Sequence, residues 1–267
     1  MKKKYLTSLI FILIITFTCW KNDLDSWKIE EHSGYTLYYT DRDKEDKKEY
    51  MNLIDNGFKN IQFFFDDTFK KKFEVFIHPD RLSLDKQWSH DWNIPDFKSE
   101  CWMVASGVAG KLDILSPNSW IREACEHDSG DKIKTQQLIV HELVHVFHGQ
   151  INLSPDFSDM KDMDWFVEGL AAYASGQCDA NRIQEIKMAI VRKEIPLSLD
   201  NFWTGNLKYG LSGSMVMYID NKFGRNKLRE LLKFKSKTEL LEFLKISEQN
   251  LLKGWEGYMN SKQIPNH

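Results

Sequence analysis

Residues 141–145 read His141-Glu142-Leu143-Val144-His145. On a helix, residues four apart lie about 40° apart around the axis and one turn along, so two imidazoles can converge on one ion. Glu142 sits about 100° round from His141. A carboxylate there flanks the ion and can take a proton from a water bound to it. A catalytic zinc takes three protein ligands and keeps a fourth position open. The third ligand is expected at Glu168, in the run Trp165-Phe166-Val167-Glu168-Gly169-Leu170-Ala171-Ala172-Tyr173. A glutamate among such apolar neighbours is costly to bury unless it is paired or metal-bound.

The elements that must carry these residues follow from periodicity. An apolar stretch over 132–148 reads as a helix, with Gly149 as its C-terminal stop. A second helical pattern covers 164–175. Upstream, 35–40 and 72–78 read as strands, and 47–65 as an amphipathic helix with Met51, Ile54, Phe58, Ile61 and Phe65 on one face. Two more strands are expected at 102–106 and 111–115, around the turn 107–110. Downstream, helices are expected at 181–193, 213–223, 227–234, 237–245 and 248–259. The fold class expected is therefore α+β: a mixed-sheet N-lobe over about 27–149, ending in the helix that bears the chemistry, and an all-helical C-lobe over about 150–260 of the same domain.

The segment HELVH followed by WFVEGLAAYAS resembles the gluzincin metallopeptidases of the peptidase MA-like superfamily, which include thermolysin-like enzymes and zinc aminopeptidases. The resemblance extends softly over about 35–259, through VASGVAGKLDILSP (104–117) and YGLSGSMVMYIDNKFGRNKLRELL (209–232). It implies a zincin-like fold and one Zn2+ per chain, held by His141, His145 and Glu168, with Glu142 as general base. It implies a peptide or protein substrate bound in extended form along a strand edge, expected at 111–115. Tyr209 is the expected oxyanion donor, with Tyr173 and Tyr218 as rivals. The chain departs from its relatives in places. Metzincins require a Gly where His148 stands and a His where Ile151 stands, inverzincins require HxxEH, and no segment like the aminopeptidase GAMEN is present. Ala172 stands where the thermolysin pattern has an acid, so orientation of the ligands must come from elsewhere.

Outside this constellation the expectations are plainer. His148 is read as a structural or supporting residue, and His78, His90 and His127 as structural or surface residues. Trp88, Trp92 and Trp102 are read as core or cleft lining. No cysteine pair has metal-knuckle spacing. An exported chain could pair Cys101 with Cys125 and leave Cys178 outside the bridge; buried thiols are the equal alternative.

Of the chain's 267 residues, 42% are hydrophobic and 28% charged, which suits a packed globular protein. The net charge of -3 argues against a generic nucleic-acid binder. Residues 1–19 place Lys2, Lys3 and Lys4 before a short apolar run, the pattern of a secretory signal. Its removal leaves 33 basic against 39 acidic residues. Cys19 stands where a lipoprotein signal would end, so lipidation at Cys19, plain secretion and an uncleaved membrane anchor are all open. The expected protein is an exported zinc peptidase, in the cell envelope or secreted. Its alternatives are a non-catalytic, zinc-stabilised binding lipoprotein of the same fold and a structural lipoprotein or adhesin with a fortuitous motif.

Overall fold

The computed structural model describes residues 26–261. The signal segment and Cys19 lie outside the described residues. Five strands form one mixed sheet: β1 (Lys28–Glu31), β2 (Tyr35–Tyr39), β3 (Phe73–His78), β4 (Ala105–Val108) and β5 (Lys111–Leu115), in the order β1-β2-β3-β5-β4. β2, β3 and β5 run parallel, and β1 and β4 are antiparallel edges. All described elements after β5 are helical.

The crossover from β2 to β3 is α1 (Lys47–Phe65), whose Tyr50, Ile54, Ile61 and Phe65 are buried. It packs with the sheet against α4 (Lys132–Ile151). The segment joining β3 to the rest carries α2 (Arg81–Asp91), and α3 (Pro117–Glu123) follows β5. Their N-termini are capped by Asp80, which accepts from the Ser83 N–H, and by Ser116, which accepts from Asn118 ahead of Pro117 at the first turn. Neither helix has a clean apolar stripe, which is why periodicity does not reveal them, and β1 is too short and charged to read as a strand. Then come α5 (Asp164–Ala174), α6 (Ala180–Arg192), α7 (Lys208–Phe223), α8 (Arg225–Leu231), α9 (Lys237–Leu244) and α10 (Glu248–Ser261). One hydrophobic core runs from Leu37, Val75 and Leu112 of the sheet, through Leu143 and Phe147 of α4, to Leu170, Val216 and Trp255 of the helical half. A smaller one gathers Leu84, Trp88, Val104, Leu115 and Trp120. No described helix is long and apolar enough to cross a membrane.

Four expectations need correction. The strand expected at 102–106 begins at Ala105. The carbonyls of Glu100, Cys101 and Met103 are occupied by the Arg81 guanidinium at 2.8–3.2 Å, so that stretch cannot join the ladder. The strand 111–115 is not an edge, because it lies between β3 and β4. The exposed edge on that side is β4. Gly149 does not end α4, which continues to Ile151 and closes with the Asn152 N–H on the His148 carbonyl at 2.8 Å. The glycine is needed for closeness instead: a Cβ there would stand 2.6 Å from the Pro155 carbonyl and 2.8 Å from the Ala109 nitrogen. The helix expected from Gly213 starts at Lys208, which puts Tyr209 in its first turn.

β4 reaches α4 through the same kind of contact. A Cβ on Gly107 would lie 2.2 Å from the Glu142 carbonyl oxygen, which is helix backbone and cannot yield. Gly107→Ala is therefore expected to cost about 1–3 kcal/mol in urea unfolding, as overpacked sites do. An unchanged unfolding midpoint would show that the strand and helix are not held this close.

Candidate metal centre

Residues 139–149 of α4 are buried without a break. The helix therefore has no solvent face on which to place His141, Glu142, His145 and His148, and each needs a partner inside the protein. α5 supplies one. Its Glu168 is half-buried and reaches toward α4, with Oε2 3.3 Å from His141 Nε2 and Oε1 3.7 Å from His145 Nε2. The two Nε2 atoms are 3.1 Å apart. Three donor atoms of the expected ligand set thus face one another, all within 4.8 Å.

These separations fit a zinc ion. Tetrahedral bonds of about 2.0–2.1 Å put neighbouring donors about 3.4 Å apart. The donor chemistry, two imidazoles and one carboxylate, is that of a catalytic site with an open position. Support for the rings is less complete. The Nδ1 atoms of His141 and His145 are buried and meet no hydrogen-bond partner, whereas metal-ligating histidines usually donate there.

The electrostatics separate the two carboxylates. Burial would raise the Glu168 carboxyl, but the His145 imidazole and hydrogen bonds from both histidines outweigh it and hold the group well below the usual range. Glu142, one residue from His141, is 8% exposed. Burial pushes its carboxyl up to about 7; His141 pulls it down, Glu168 pushes it further up, and the Gly107 N–H opposes weakly. One carboxylate is thus held as an anion and the other is poised to exchange a proton near neutrality.

A cavity of about 490 Å³ opens beside His141 and Glu142. Tyr209 lines it, with its ring 6.4 Å from that of His141. Burial first, then the nearby Glu168 and Glu142 charges, push its hydroxyl up to about 12, so it stays protonated. The rival tyrosines are committed elsewhere. Tyr173 donates to Asp220 at 2.8 Å, and the Tyr218 hydroxyl accepts from Lys222 at 3.0 Å.

Of the other histidines singled out in the sequence, His127 lines the cavity and His78, His90 and His148 do not. His78 bridges Asp113 at 2.9 Å and Ser83 at 3.1 Å. His90 is exposed beside Asp91, and His127 contacts the Trp102 carbonyl at 3.0 Å. His148 lies 3.1 Å from the Leu232 carbonyl through Nε2 and packs on Phe157 and Phe166. Burial, with the neighbouring His145, lowers its pKa to about 3 against a weaker pull from the Leu232 carbonyl. Trp88 and Trp92 are stacked at 5.0 Å, and both line the cavity with Trp102. Cys101 and Cys125 form a disulfide that secures the loop bearing Trp102 and residues 126–128, and Cys178 is buried.

Two cations beside Tyr209, of which Arg182 lines the cavity, carry no sequence signal. Arg182 of α6 and Lys208 of α7 flank the Tyr209 ring. Each is one basic residue in an ordinary helical run, without spacing to any motif, so only the packing of α6 against α7 shows them. No protein-family model matches the chain, and no curated protein matches it.

The purified protein is expected to bind one zinc per chain, read by equilibrium dialysis and metal analysis, and His145→Ala or Glu168→Ala to lose at least about tenfold in affinity. A well-folded wild type that takes up no offered zinc would remove the metal centre. His148 generates a separate expectation. Its folded pKa lies below the unfolded value of about 6.5, so its contribution is complete above that pH and is lost as pH falls toward the folded pKa. Between pH 8 and pH 5, metal-free wild type should lose about 2 kcal/mol more stability than His148→Gln. Parallel urea-unfolding losses for the two proteins would contradict a neutral buried imidazole.

Proposed function

We propose that the protein is an exported zinc-dependent peptidase of the gluzincin type, with a zincin-like arrangement of sheet edge, α4 and α5. The observation that carries this reading is the convergence of His141, His145 and Glu168, whose three donor atoms lie within 4.8 Å of one another, each imidazole Nε2 being 3.3–3.7 Å from a Glu168 oxygen, with the poised Glu142 carboxyl next to them. The resemblance of HELVH and WFVEGLAAYAS to that family points the same way.

When bound, zinc would polarise the scissile carbonyl and make a water acidic enough to attack near neutral pH. The chain's own residues do the rest. His141, His145 and Glu168 hold the ion. Glu142 accepts the proton of the attacking water at its carboxylate and delivers it to the leaving amine nitrogen. Tyr209, protonated at working pH, donates its hydroxyl hydrogen to the developing oxyanion. Extended substrate is read as lying along β4, whose Ala105 and Ser106 line the cavity. Main-chain hydrogen bonds there orient the scissile bond and demand little of the side chains.

Export rests on residues 1–19 and accords with the Cys101–Cys125 bridge, since disulfides persist in oxidising compartments. Membrane attachment, through Cys19 lipidation or an uncleaved signal, belongs to the same proposal.

Zinc-loaded wild type should cleave a fluorogenic peptide mixture. Glu142→Gln should bind zinc normally and lose about 10²–10⁴-fold in kcat. Tyr209→Phe should lose about 10²–10³-fold in kcat with KM little changed. Equal cleavage by wild type and Glu142→Gln would sink the peptidase reading, and zinc binding without any cleavage would favour a zinc-stabilised binding protein.

A further inference from the structure

Two cations meet at the Tyr209 ring of the metal cleft, and neither is ion-paired with a carboxylate among the described residues. The Arg182 guanidinium stands 4.9 Å from the centre of the Tyr209 ring and donates through one nitrogen to the Gln177 carbonyl at 2.7 Å. The Lys208 ammonium lies over three rings: Trp203 at 4.7 Å, Tyr209 at 5.3 Å and Trp102 at 5.5 Å. Aromatic faces steady a cation without neutralising it. Among the described residues, no carboxylate forms an ion pair with either side chain. Two acids lie three residues from Arg182: Asp179 is engaged as the N-cap of α6, its Oδ1 accepting from the Arg182 backbone N–H at 3.0 Å, and Glu185, on the same helix, forms no ion pair with it. Glu126 and Asp128 also line the cavity but belong to the disulfide-held loop and are exposed.

We infer that Arg182 and Lys208 form an anion subsite of the cleft, which takes a carboxylate of the substrate within three residues of the scissile bond. This rests on the peptidase reading. Arg182 has five N–H groups in a fixed fork and spends only part of them on Gln177, so the remainder suit a carboxylate. The reach follows from the ring positions. The guanidinium is 4.9 Å from Tyr209, whose ring is 6.4 Å from that of His141. That path is spanned by about three extended residues. Two sources of carboxylate fit, a free C-terminus and an Asp or Glu side chain. The first would make the enzyme favour short peptides or chain ends, and the second acidic sequences.

The test separates binding from turnover. The full-length Glu142→Gln protein, zinc-loaded and unable to turn over, is titrated calorimetrically with matched tripeptides. One pair differs as C-terminal acid against amide, and a second, amide-blocked pair differs as Asp against Asn. A preference of at least about tenfold for the acid member of either pair is expected. It should fall below about twofold when Arg182→Gln is added, be partly kept by Arg182→Lys, and weaken with Lys208→Gln. Zinc affinity, unchanged in all variants, reports that the fold is intact. The pair that shows the preference identifies the source. No preference, a preference that survives both Gln substitutions, or no binding of any acid peptide would overturn the subsite. Turnover of neutral, blocked peptides by wild type is measured separately, so failure of the peptidase reading shows there and not in the acid preference.

Discussion

A helical stretch buried on every side must find interior partners for the polar groups it carries, and residues 139–149 of α4 carry four. Over residues 139–149 it lies between the sheet, α1 and the helical half, with His141, Glu142, His145 and His148 along it. Leaving such groups unpaired costs on the order of 1–3 kcal/mol each. His148 Nε2 meets the Leu232 carbonyl, which also accepts from the Asn152 side chain. His141 and His145 meet Glu168, and Glu142 is left with a raised pKa. The placement of α5 beside α4 is therefore part of what makes α4 tolerable as a buried helix.

The close approaches around α4 serve the same end. Gly107 lets the edge strand lie on the helix backbone at Glu142, and Gly149 lets the helix pass against Ala109 and Pro155. β4 is thereby set beside Glu142 and His145, with its free edge along the cavity. Arg81 and the disulfide hold the segment entering β4 out of the sheet, and so place Trp102 over the cavity, facing Lys208. Sheet edge, loop and α7 thus form the walls of one cleft.

Within that cleft, charge is distributed by burial. Glu168 is held anionic by two imidazoles while Glu142, also a carboxylate, is poised near neutrality. Tyr209 stays protonated between them and the two rim cations. The proton exchange, hydrogen-bond donation and anion attraction proposed above thus fall to separate side chains.

By itself the sequence determined the helix of the HExxH motif, the helix of Glu168, the order of most strands and helices, and the candidate set His141, Glu142, His145 and Glu168. These are local statements, since the three- and four-residue recurrence of apolar side chains and the HExxH spacing follow from helix geometry. Only the tertiary structure decided that β4 and not 111–115 is the free edge, because strand order depends on pairings between distant segments. It alone set the Tyr209 ring against the cavity while engaging Tyr173 with Asp220 and Tyr218 with Lys222, since all three are tyrosines on apolar helices and differ only in what packs against them. The same holds for Arg182 and Lys208. Arg182 of α6 and Lys208 of α7 meet at the Tyr209 ring only in the folded chain, and no periodicity encodes such a meeting.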